Sequence, residues 1–474
     1  MYTEASIDRV READIVEVIS NFLDLKRSGS NYSAKSPFKD EKTGSFMVSP
    51  AKQIFKCFAT GQGGDAIKFV QLYKSLSFIE AIETIAGICS IYLEEEEVSE
   101  DRKKHLVNMQ SLKDFSTNVA GEYAKQFKAL PKDHWAKEML AKRGYTEDTI
   151  IEFQLGFAPG NLVSKAAINS GKLELAKETG LVRTKTGTSY DFFKDRIIFP
   201  IHNRQGQVIA FGGRRSNDES VSKFAKYFNS AESIIYNKSK TLYGLHQAQR
   251  SITKTKYAVL VEGYTDVITL HQNGCTNAIA TCGTALTPLQ VKALKQMCNH
   301  VIIFRDGDAA GINAALKDID VLLAGGLKVS VCVAQEGEDP DSMCRLPKMD
   351  IVSYLENNSE DGLIWKATKA YNEANGDPTY IATSLEGLNE TFAKIQSEIL
   401  RKEYIKQVAA VYKQPARTIE KGVKAYLAAE EEKAQRKAKE GKTLGEEDIL
   451  GLPKGADMDQ YMKDRFAIAG NCYH

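Results

Sequence analysis

The sequence lacks any hydrophobic run long enough to cross a membrane. No apolar stretch approaches the roughly 20 residues that a membrane-spanning helix needs. Residues 1–20 are charged throughout and lack the apolar stretch of a signal peptide. We therefore expect a cytoplasmic protein that has no membrane contact.

Cysteine is scarce and scattered along the chain. Eight cysteines occur in 474 residues, and no two of them form a C-x-x-C pair. In a long cytosolic chain this usage argues against a disulfide framework. With 43% hydrophobic and 26% charged residues, the chain is typical of a globular protein of about three domains.

The chain as a whole is nearly neutral, but one segment carries a large excess of positive charge. Sixty-three Lys and Arg oppose 62 Asp and Glu, so the total charge says nothing about a nucleic-acid partner. Residues 194–256 contain twelve Lys or Arg against four Asp or Glu, a net charge of +8. On charge alone, a phosphate-binding surface and a solvated face balanced by nearby acids explain this segment equally well.

The N-terminal region combines helical and strand-like patterns. Residues 7–26 and 65–88 carry apolar residues at helical spacing. Between them, SFMVS and QIFKCF are short strand-like runs separated by turn residues. We predict a small antiparallel sheet with a core formed by Phe46, Ile54, Phe55, Phe58, Ile67, Phe69 and Val70.

The middle of the chain changes from helical spacing to strands. Residues 105–153 are predicted to be helical, and RIIFPI and VIAFGG flank a turn, which indicates a hairpin. After residue 257, the apolar runs YAVLVEG, HVIIFRDGD and KVSVCVA alternate with helical stretches. Continuous apolar strands that alternate with helices are typical of a buried parallel sheet in an α/β domain.

Carboxylates follow these apolar strands at the points where the strands end. Glu262 ends the first run, and Asp306 and Asp308 end the second. Because ligands bind beyond the carboxyl ends of parallel strands, we expect these side chains to meet at one edge. Clustered carboxylates need cations to offset their repulsion, and oxygen ligands suit Mg²⁺. Asp339 and Asp341 follow the third run.

Several motifs together resemble a known family. VEGYTDVITL, ATCGTALT, FRDGDAAGINAA and EGEDPD resemble the Toprim domain, which DnaG-type bacterial primases share with some topoisomerases and nucleases. The flanking KRGYTEDTIIEFQLGFAP, DRIIFPIHNRQGQVIAFGGR and KYFNSAES resemble the first half of the primase polymerase core. The resemblance covers roughly residues 5–430 in the family's order, and a phage-encoded member fits it as well as a bacterial one.

The resemblance implies an α+β multidomain fold. It implies a small zinc-ribbon-like antiparallel domain, a basic α+β subdomain, a Toprim domain with a parallel sheet and a C-terminal helical bundle. The expected limits are 1–98 for the zinc-ribbon-like domain, 99–112 for a linker, 113–256 for the basic subdomain, 257–345 for the Toprim domain, 346–430 for the helical bundle and 431–474 for a linker and short tail.

Residue roles are implied where the motifs match. Glu262, Asp306 and Asp308 are the implied catalytic residues, which would hold Mg²⁺ or Mn²⁺. Three further acids complete the implied metal site: Asp266, Asp339 and Asp341. Six basic residues are implied to contact template or nucleotide: Arg143, Lys194, Arg196, Arg214, Lys226 and Lys238. Arg305, just before Asp306, is unusual, and it is expected either to neutralise the acids or to touch a triphosphate.

The N-terminal domain departs from the family's zinc ligands, which are three Cys and one His. Ser36 and Lys39 stand at the first two positions, Cys57 at the third and Thr60 at the fourth. One thiol cannot fill the four positions of a structural zinc site. We therefore expect a degenerate domain without zinc.

The implied function is DNA-templated synthesis of short RNA primers. The expected partners are single-stranded DNA and ribonucleoside triphosphates, and the replicative helicase is a further candidate. Little chain follows residue 430, so the helicase contact is shorter, lies on another chain, or is lost because this chain is a fragment. Two alternatives stay open: a Toprim nuclease or topoisomerase, and a non-catalytic DNA-binding adaptor of a replication complex.

Overall fold

A computed structural model of the chain describes residues 2–39, 44–74, 76, 78–95, 100–221 and 223–443. The chain divides into two units, residues 1–108 and residues 109–474. Among the described residues, no helix has the length and apolar character that crossing a membrane would need.

The first unit is a five-stranded antiparallel sheet with helices before and after it. Asp14 caps the second helix by accepting hydrogen bonds from two backbone N–H groups. Along the chain the elements are α1 (Glu4–Arg11), α2 (Ile15–Ser20), β1 (Lys26–Ser28), β2 (Asn31–Ala34), β3 (Phe46–Ser49), β4 (Ile54–Cys57), β5 (Gly63–Gly64), α3 (Ala66–Lys74) and α4 (Phe78–Ile88).

The core of this unit corrects part of the predicted core. Phe46, Phe55 and the three predicted residues of α3 are buried. Ile54 and Phe58, in contrast, are 43% and 70% exposed. Side chains of a strand alternate between its faces, so burying Phe55 and Cys57 turns Ile54 to the solvent. Phe58 follows the end of β4, where this alternation no longer fixes its direction.

The second unit begins with helices and an antiparallel sheet of order β11-β10-β9-β6. The pairing of β9 with β10 confirms the predicted hairpin. Helix α5 (Glu100–Ala129) begins in the first unit and continues into the second. The elements that follow are α6 (Trp135–Lys142), α7 (Glu147–Glu152), β6 (Gly156–Ala158), α8 (Val163–Asn169), α9 (Leu173–Glu178), β7 (Val182–Lys185), β8 (Thr188–Asp191), β9 (Arg196–His202), β10 (Val208–Arg214) and β11 (Tyr227–Asn229), and a short 3₁₀ helix spans Glu219–Val221.

The predicted linker over 99–112 is helical from Glu100 onward, because those residues form the start of α5. Its polar composition reflects a helix with an exposed surface, with Glu100 and Asp101 in the first turn and an ion pair between Lys103 and Glu100 at 3.3 Å. Acidic residues at a helix N-terminus are favourable because of the helix dipole.

The predicted parallel sheet is confirmed. In the six-stranded sheet of order β12-β14-β13-β15-β16-β17, the four central strands are parallel and the two edge strands are antiparallel. The elements are β12 (Leu242–Tyr243), α10 (Leu245–Thr255), β13 (Tyr257–Val261), α11 (Tyr264–Gln272), β14 (Ala278–Thr281), α12 (Pro288–Lys295), β15 (His300–Arg305), α13 (Ala309–Ala324), β16 (Lys328–Val333), α14 (Pro340–Met343), α15 (Ile351–Asn358) and β17 (Glu360–Asp361).

Each face of this sheet packs into a different hydrophobic core. Val301 and Ile303 belong to one core with α13, whereas Ile302 and Phe304 belong to the other. Burial on both faces explains why these strands are continuous apolar runs in the sequence.

Four further helices cover the α13 face of the sheet. Leu388, Phe392 and Val408 contribute to the same core as Ile303, and Asp320 of α13 is ion-paired with Lys366. The helices are α16 (Gly362–Glu373), α17 (Pro378–Lys394), α18 (Glu398–Tyr412) and α19 (Ala416–Thr443). Of the predicted linker and tail over 431–474, residues 431–443 continue α19, and residues 444–474 lie outside the described residues.

Candidate active site

Four carboxylates stand at the carboxyl ends of three adjacent parallel strands. Glu262 follows β13 directly, and Asp306 follows β15, which pairs with both β13 and β16. Asp308 lies two residues beyond Asp306, and Asp339 lies in the loop after β16. We call Glu262, Asp306, Asp308 and Asp339 the acidic rim.

The acidic rim is electrostatically unfavourable for its most central member. Burial raises the pKa of Asp306 to about 6. Three neighbouring carboxylates act in the same direction, in decreasing order Glu262, Asp339 and Asp308, whereas Arg305 opposes them. Mutual repulsion of this kind is relieved when a cation binds between the carboxylates.

Asp266 lies buried next to the acidic rim. Its Oδ2 accepts a hydrogen bond from the backbone N–H of Gly263 over 2.8 Å, at the start of α11. Burial raises the pKa of Asp266 to about 7 although this hydrogen bond opposes the shift. The carboxylates of Asp306, Asp339 and Asp341 also raise it.

Two members of the acidic rim cap helices. Oδ1 of Asp308 accepts from the N–H of Gly311 over 2.7 Å, and Oδ1 of Asp339 accepts from the N–H of Ser342 over 2.6 Å. These hydrogen bonds orient both carboxylates at the start of α13 and α14.

Asp341 is held by two arginines. It is 2% exposed, and it forms ion pairs with Arg143 and with Arg345, the latter at 2.5 Å. The hydroxyl of Thr269 donates to its Oδ1 over 2.5 Å. The sequence reasoning missed Arg345 and Thr269, although the spacing of four residues between Asp341 and Arg345 was a usable signal. The metal-ligand role of Asp341 stays a prediction.

The donor set of the acidic rim fits a divalent metal by its chemistry. All four side chains offer carboxylate oxygens, which are the ligands that Mg²⁺ and Mn²⁺ prefer. In the described ranges, no three His, Cys, Asp or Glu side chains are arranged closely enough to hold an ion. The residues that would bind metal, Glu262, Asp306, Asp308, Asp266, Asp339 and Asp341, therefore stay a prediction.

Three of the predicted basic residues lie close enough to affect one another's charge: Lys226, Arg214 and Arg143. Burial lowers the pKa of the Lys226 ammonium. Three guanidinium groups lower it further: Arg214, Arg143 and Arg215. Arg214 is only 3% exposed, and its Nε and Nη1 have no hydrogen-bond partner within the part of the chain that the structure describes. Unpartnered buried donors of this kind are costly unless a ligand satisfies them.

Arg196 has a different environment. Its guanidinium donates to the backbone carbonyls of Gly213, Lys226 and Ala225 over 3.1–3.2 Å. It also lies 4.0 Å from the ring centroid of Phe228. These contacts tie together the strands of the antiparallel sheet, so contact between Arg196 and a phosphate stays a prediction.

The remaining two basic residues lie apart from these contacts. Lys194 is exposed and packs beside Gly160, where an added Cβ would lie 2.7 Å from the Cγ of Lys194. Lys238 is half-buried, and its backbone N–H donates to Oε1 of Glu232 over 3.0 Å. Their predicted contacts with nucleic acid or nucleotide are not tested by these observations.

Three of the four residues at the family's zinc-ligand positions form a small hydrogen-bonded group: Ser36, Cys57 and Thr60. The Oγ of Ser36 and the Sγ of Cys57 are 3.1 Å apart. Burial opposes ionisation of Cys57, but hydrogen bonds to Ser36 and Thr60 leave the pKa of this thiol below its ordinary value. Among these positions, only Cys57 carries a side chain typical of structural zinc ligands.

Three protein-family models match successive parts of the chain. Residues 2–101 match the CHC2 zinc finger, residues 123–249 match the N-terminal domain of the DNA primase catalytic core, and residues 259–344 match a Toprim-like domain. The matches follow the order that the motifs predicted.

Curated relatives carry the name DNA primase. The one from Halalkalibacterium halodurans is 39% identical over 348 residues, which are 71% of this chain and 56% of the relative. Those from Clostridium acetobutylicum and Listeria monocytogenes are 34% and 32% identical, with 86% and 96% of this chain and 67% and 74% of the relatives covered. The chain thus spans less than two thirds of the Halalkalibacterium relative.

A solved structure is also similar. The zinc-binding and RNA polymerase domains of the Aquifex aeolicus primase are 34% identical to this chain, with a TM-score of 0.57. The similarity covers 87% of this chain and 98% of that structure.

The comparisons correct the prediction about zinc. Residues 2–101 match the CHC2 zinc finger, and the similar Aquifex aeolicus structure includes a zinc-binding domain. The expectation of a degenerate domain without zinc is therefore wrong. That expectation considers only four positions, whereas the family match extends over residues 2–101.

Proposed function

The chain belongs to the family of DnaG-type DNA primases, and on this basis we propose that it synthesises short RNA primers on single-stranded DNA. Its substrates in this proposal are ribonucleoside triphosphates, which are joined by metal-dependent nucleotidyl transfer. The observation that supports the proposal best is the acidic rim at three adjacent strand ends of a Toprim-like domain.

In the proposed mechanism Glu262, Asp306 and Asp308 hold divalent metal ions. Such ions, when bound, offset the charge of the triphosphate and align the attacking and leaving oxygens. The protein supplies fixed carboxylates for this purpose. The helix-capping hydrogen bond of Asp308 restricts its rotation, and the buried Asp266, with a pKa of about 7, can hold a proton beside the rim.

Cations near the rim bind the polyanionic substrates in this proposal. Arg214 has unpartnered donors, and its charge, like that of Arg143, lowers the pKa of Lys226, which indicates a locally positive region. Contacts with phosphate do not read the base sequence, so such a region accepts many templates. Lys194, Arg196 and Lys238 are the further candidates for this binding.

We also propose the domain limits that the motifs suggest. The basic subdomain over 113–256 and the Toprim domain over 257–345 form the polymerising centre, and the helical bundle over 346–430 closes the core. A replicative helicase remains a candidate partner in this proposal.

Primer synthesis on single-stranded DNA tests the proposed function. The full chain is incubated with a single-stranded template, labelled ribonucleotides and Mg²⁺ or Mn²⁺. We expect short labelled RNA from the unmodified chain and none from Asp306→Ala, which should still fold and bind the template. Nicking of plasmid DNA without nucleotides would instead indicate a nuclease, and template binding without synthesis would indicate an adaptor.

A further inference from the structure

Arg305 occupies the last position of β15, immediately before Asp306. Successive side chains of a strand point to opposite faces, so Arg305 shares a face with Ile303. That face packs against α13. Arg305 is only 6% exposed, so its guanidinium lies within the protein.

Asp318 of α13 anchors this guanidinium. Nη2 of Arg305 donates to Oδ2 of Asp318 over 2.6 Å, and the two side chains are 7% and 5% exposed. Charged groups buried this deeply require a partner of opposite charge. The bond therefore fixes where the rest of the guanidinium points.

The other terminal nitrogen faces the acidic rim. Nη1 of Arg305 lies 3.7 Å from Oε2 of Glu262, whose side chain is 58% exposed. A planar guanidinium presents its donors in a rigid fork. Because Nη2 is bound to Asp318, Nη1 is held in a fixed position near Glu262. Its positive charge there restricts the rotation of the Glu262 side chain, which is otherwise exposed.

We propose that Arg305 is a positioning residue that holds the carboxylate of Glu262 at the acidic rim, with Asp318 as its anchor. The inference rests on the proposed function, because it assigns a task to a residue of the same site. One terminal nitrogen of Arg305 is bound to Asp318 and the other faces Glu262, so the guanidinium is committed to these two carboxylates rather than to a triphosphate. Its contact with Glu262 distinguishes it from a purely structural pair such as Lys366 and Asp320.

Binding of Mn²⁺ to the full chain without nucleotide tests this role by titration calorimetry. The double variant R305L/D318L removes both buried charges together, which avoids leaving one unpaired. We expect it to weaken Mn²⁺ binding by about fivefold. In an E262Q background the same double replacement should change the affinity by less than about twofold, because residues that act through one another are not additive.

The matched control is K366M/D320L, which removes both ion pairs of Asp320 in α13, those with Lys366 and Lys394 of the C-terminal helices, and leaves the acidic rim unchanged. It should leave Mn²⁺ affinity unchanged. Equal weakening in both Glu262 backgrounds, or wild-type affinity in a normally melting R305L/D318L, would overturn the proposal.

A second variant covers the case in which R305L/D318L does not fold. R305K keeps a positive charge for Asp318 but lacks the fork that reaches Glu262. It should also weaken Mn²⁺ binding about fivefold, and wild-type affinity in R305K would refute the positioning role. Primer synthesis by the unmodified chain is a separate measurement, so the proposed function and this inference can fail independently.

Discussion

Arg143 and Asp341, which are 198 residues apart in the sequence, form an ion pair between the segment after α6 and helix α14. Arg143 precedes the antiparallel sheet, whereas Asp341 follows β16, the last of the four parallel strands. The pair therefore links the two halves of the proposed polymerising centre by a contact between charged side chains.

Replacing Asp341 by Ala should destabilise the protein. Removal of one partner leaves the Arg143 charge, with 21% of its side chain exposed, without its carboxylate, and losses of this kind amount to about 3 kcal/mol. Urea denaturation of the full chain measures the effect. The double variant R143A/D341A should be destabilised by less than the sum of the two single variants, and strict additivity would contradict the pairing.

Replacing Asp306 by Asn should raise stability in the absence of divalent ions. Burial and three neighbouring carboxylates disfavour the ionised form of Asp306, so a neutral side chain relieves repulsion. The melting temperature measured in EDTA at pH 8 should increase. Addition of Mg²⁺ should raise the melting temperature of the unmodified chain more than that of the variant. An equal response of both proteins to Mg²⁺ would argue against metal binding at Asp306.

Asp266 should make stability depend on pH. Its pKa is raised from 3.8 to about 7 in the folded protein. Its stabilising contribution to the free energy of unfolding is therefore complete below about pH 4 and is lost as the pH rises through 7. A difference of one in pKa between the folded and unfolded protein changes the free energy of unfolding by about 1.4 kcal/mol. Denaturation in EDTA between pH 5 and 8 should show a decline that is shallower in Asp266→Asn. An identical slope in both proteins would exclude this origin.

Arg214 and Arg196 should respond differently to replacement by Met. Because Arg214 has unpartnered donors, R214M should weaken binding of single-stranded DNA or nucleotide without loss of stability. If Arg214 contacts a DNA phosphate, R214M should reduce the slope of the logarithm of the affinity against the logarithm of the salt concentration by about 1. R196M should instead lower the melting temperature, because three backbone carbonyls lose their donor. A loss of stability in R214M with unchanged binding would contradict this assignment.

The sequence predicted those features that depend on local patterns. The parallel sheet followed from apolar runs such as that of β15, and the carboxylates at the strand ends followed from the direction of the strands. The pairing of Arg305 with Asp318 was not predictable in the same way, because it depends on how α13 lies across the sheet. The exposure of Ile54 was not predictable either. Ile54 and Phe55 are both apolar neighbours in one strand, so the sequence does not show which of the two faces the core.

The prediction that the N-terminal domain lacks zinc was wrong for a different reason. The prediction reasoned from individual ligand positions such as Ser36 and Lys39, whereas membership of a domain family rests on the pattern of the whole unit. Ligand chemistry at four positions is therefore too narrow a basis for predicting that a zinc-ribbon-like domain of about a hundred residues lacks zinc.

Helices α16 to α19 share their hydrophobic core with one face of the parallel sheet. Residues 259–344, which match a Toprim-like domain, therefore share one of their hydrophobic cores with helices outside that match. A chain cut after residue 345 would lose Phe392 and Val408 from the core that also contains Ile303 and Ile319. Such a fragment should aggregate, so the smallest soluble piece that retains the acidic rim extends through the helices.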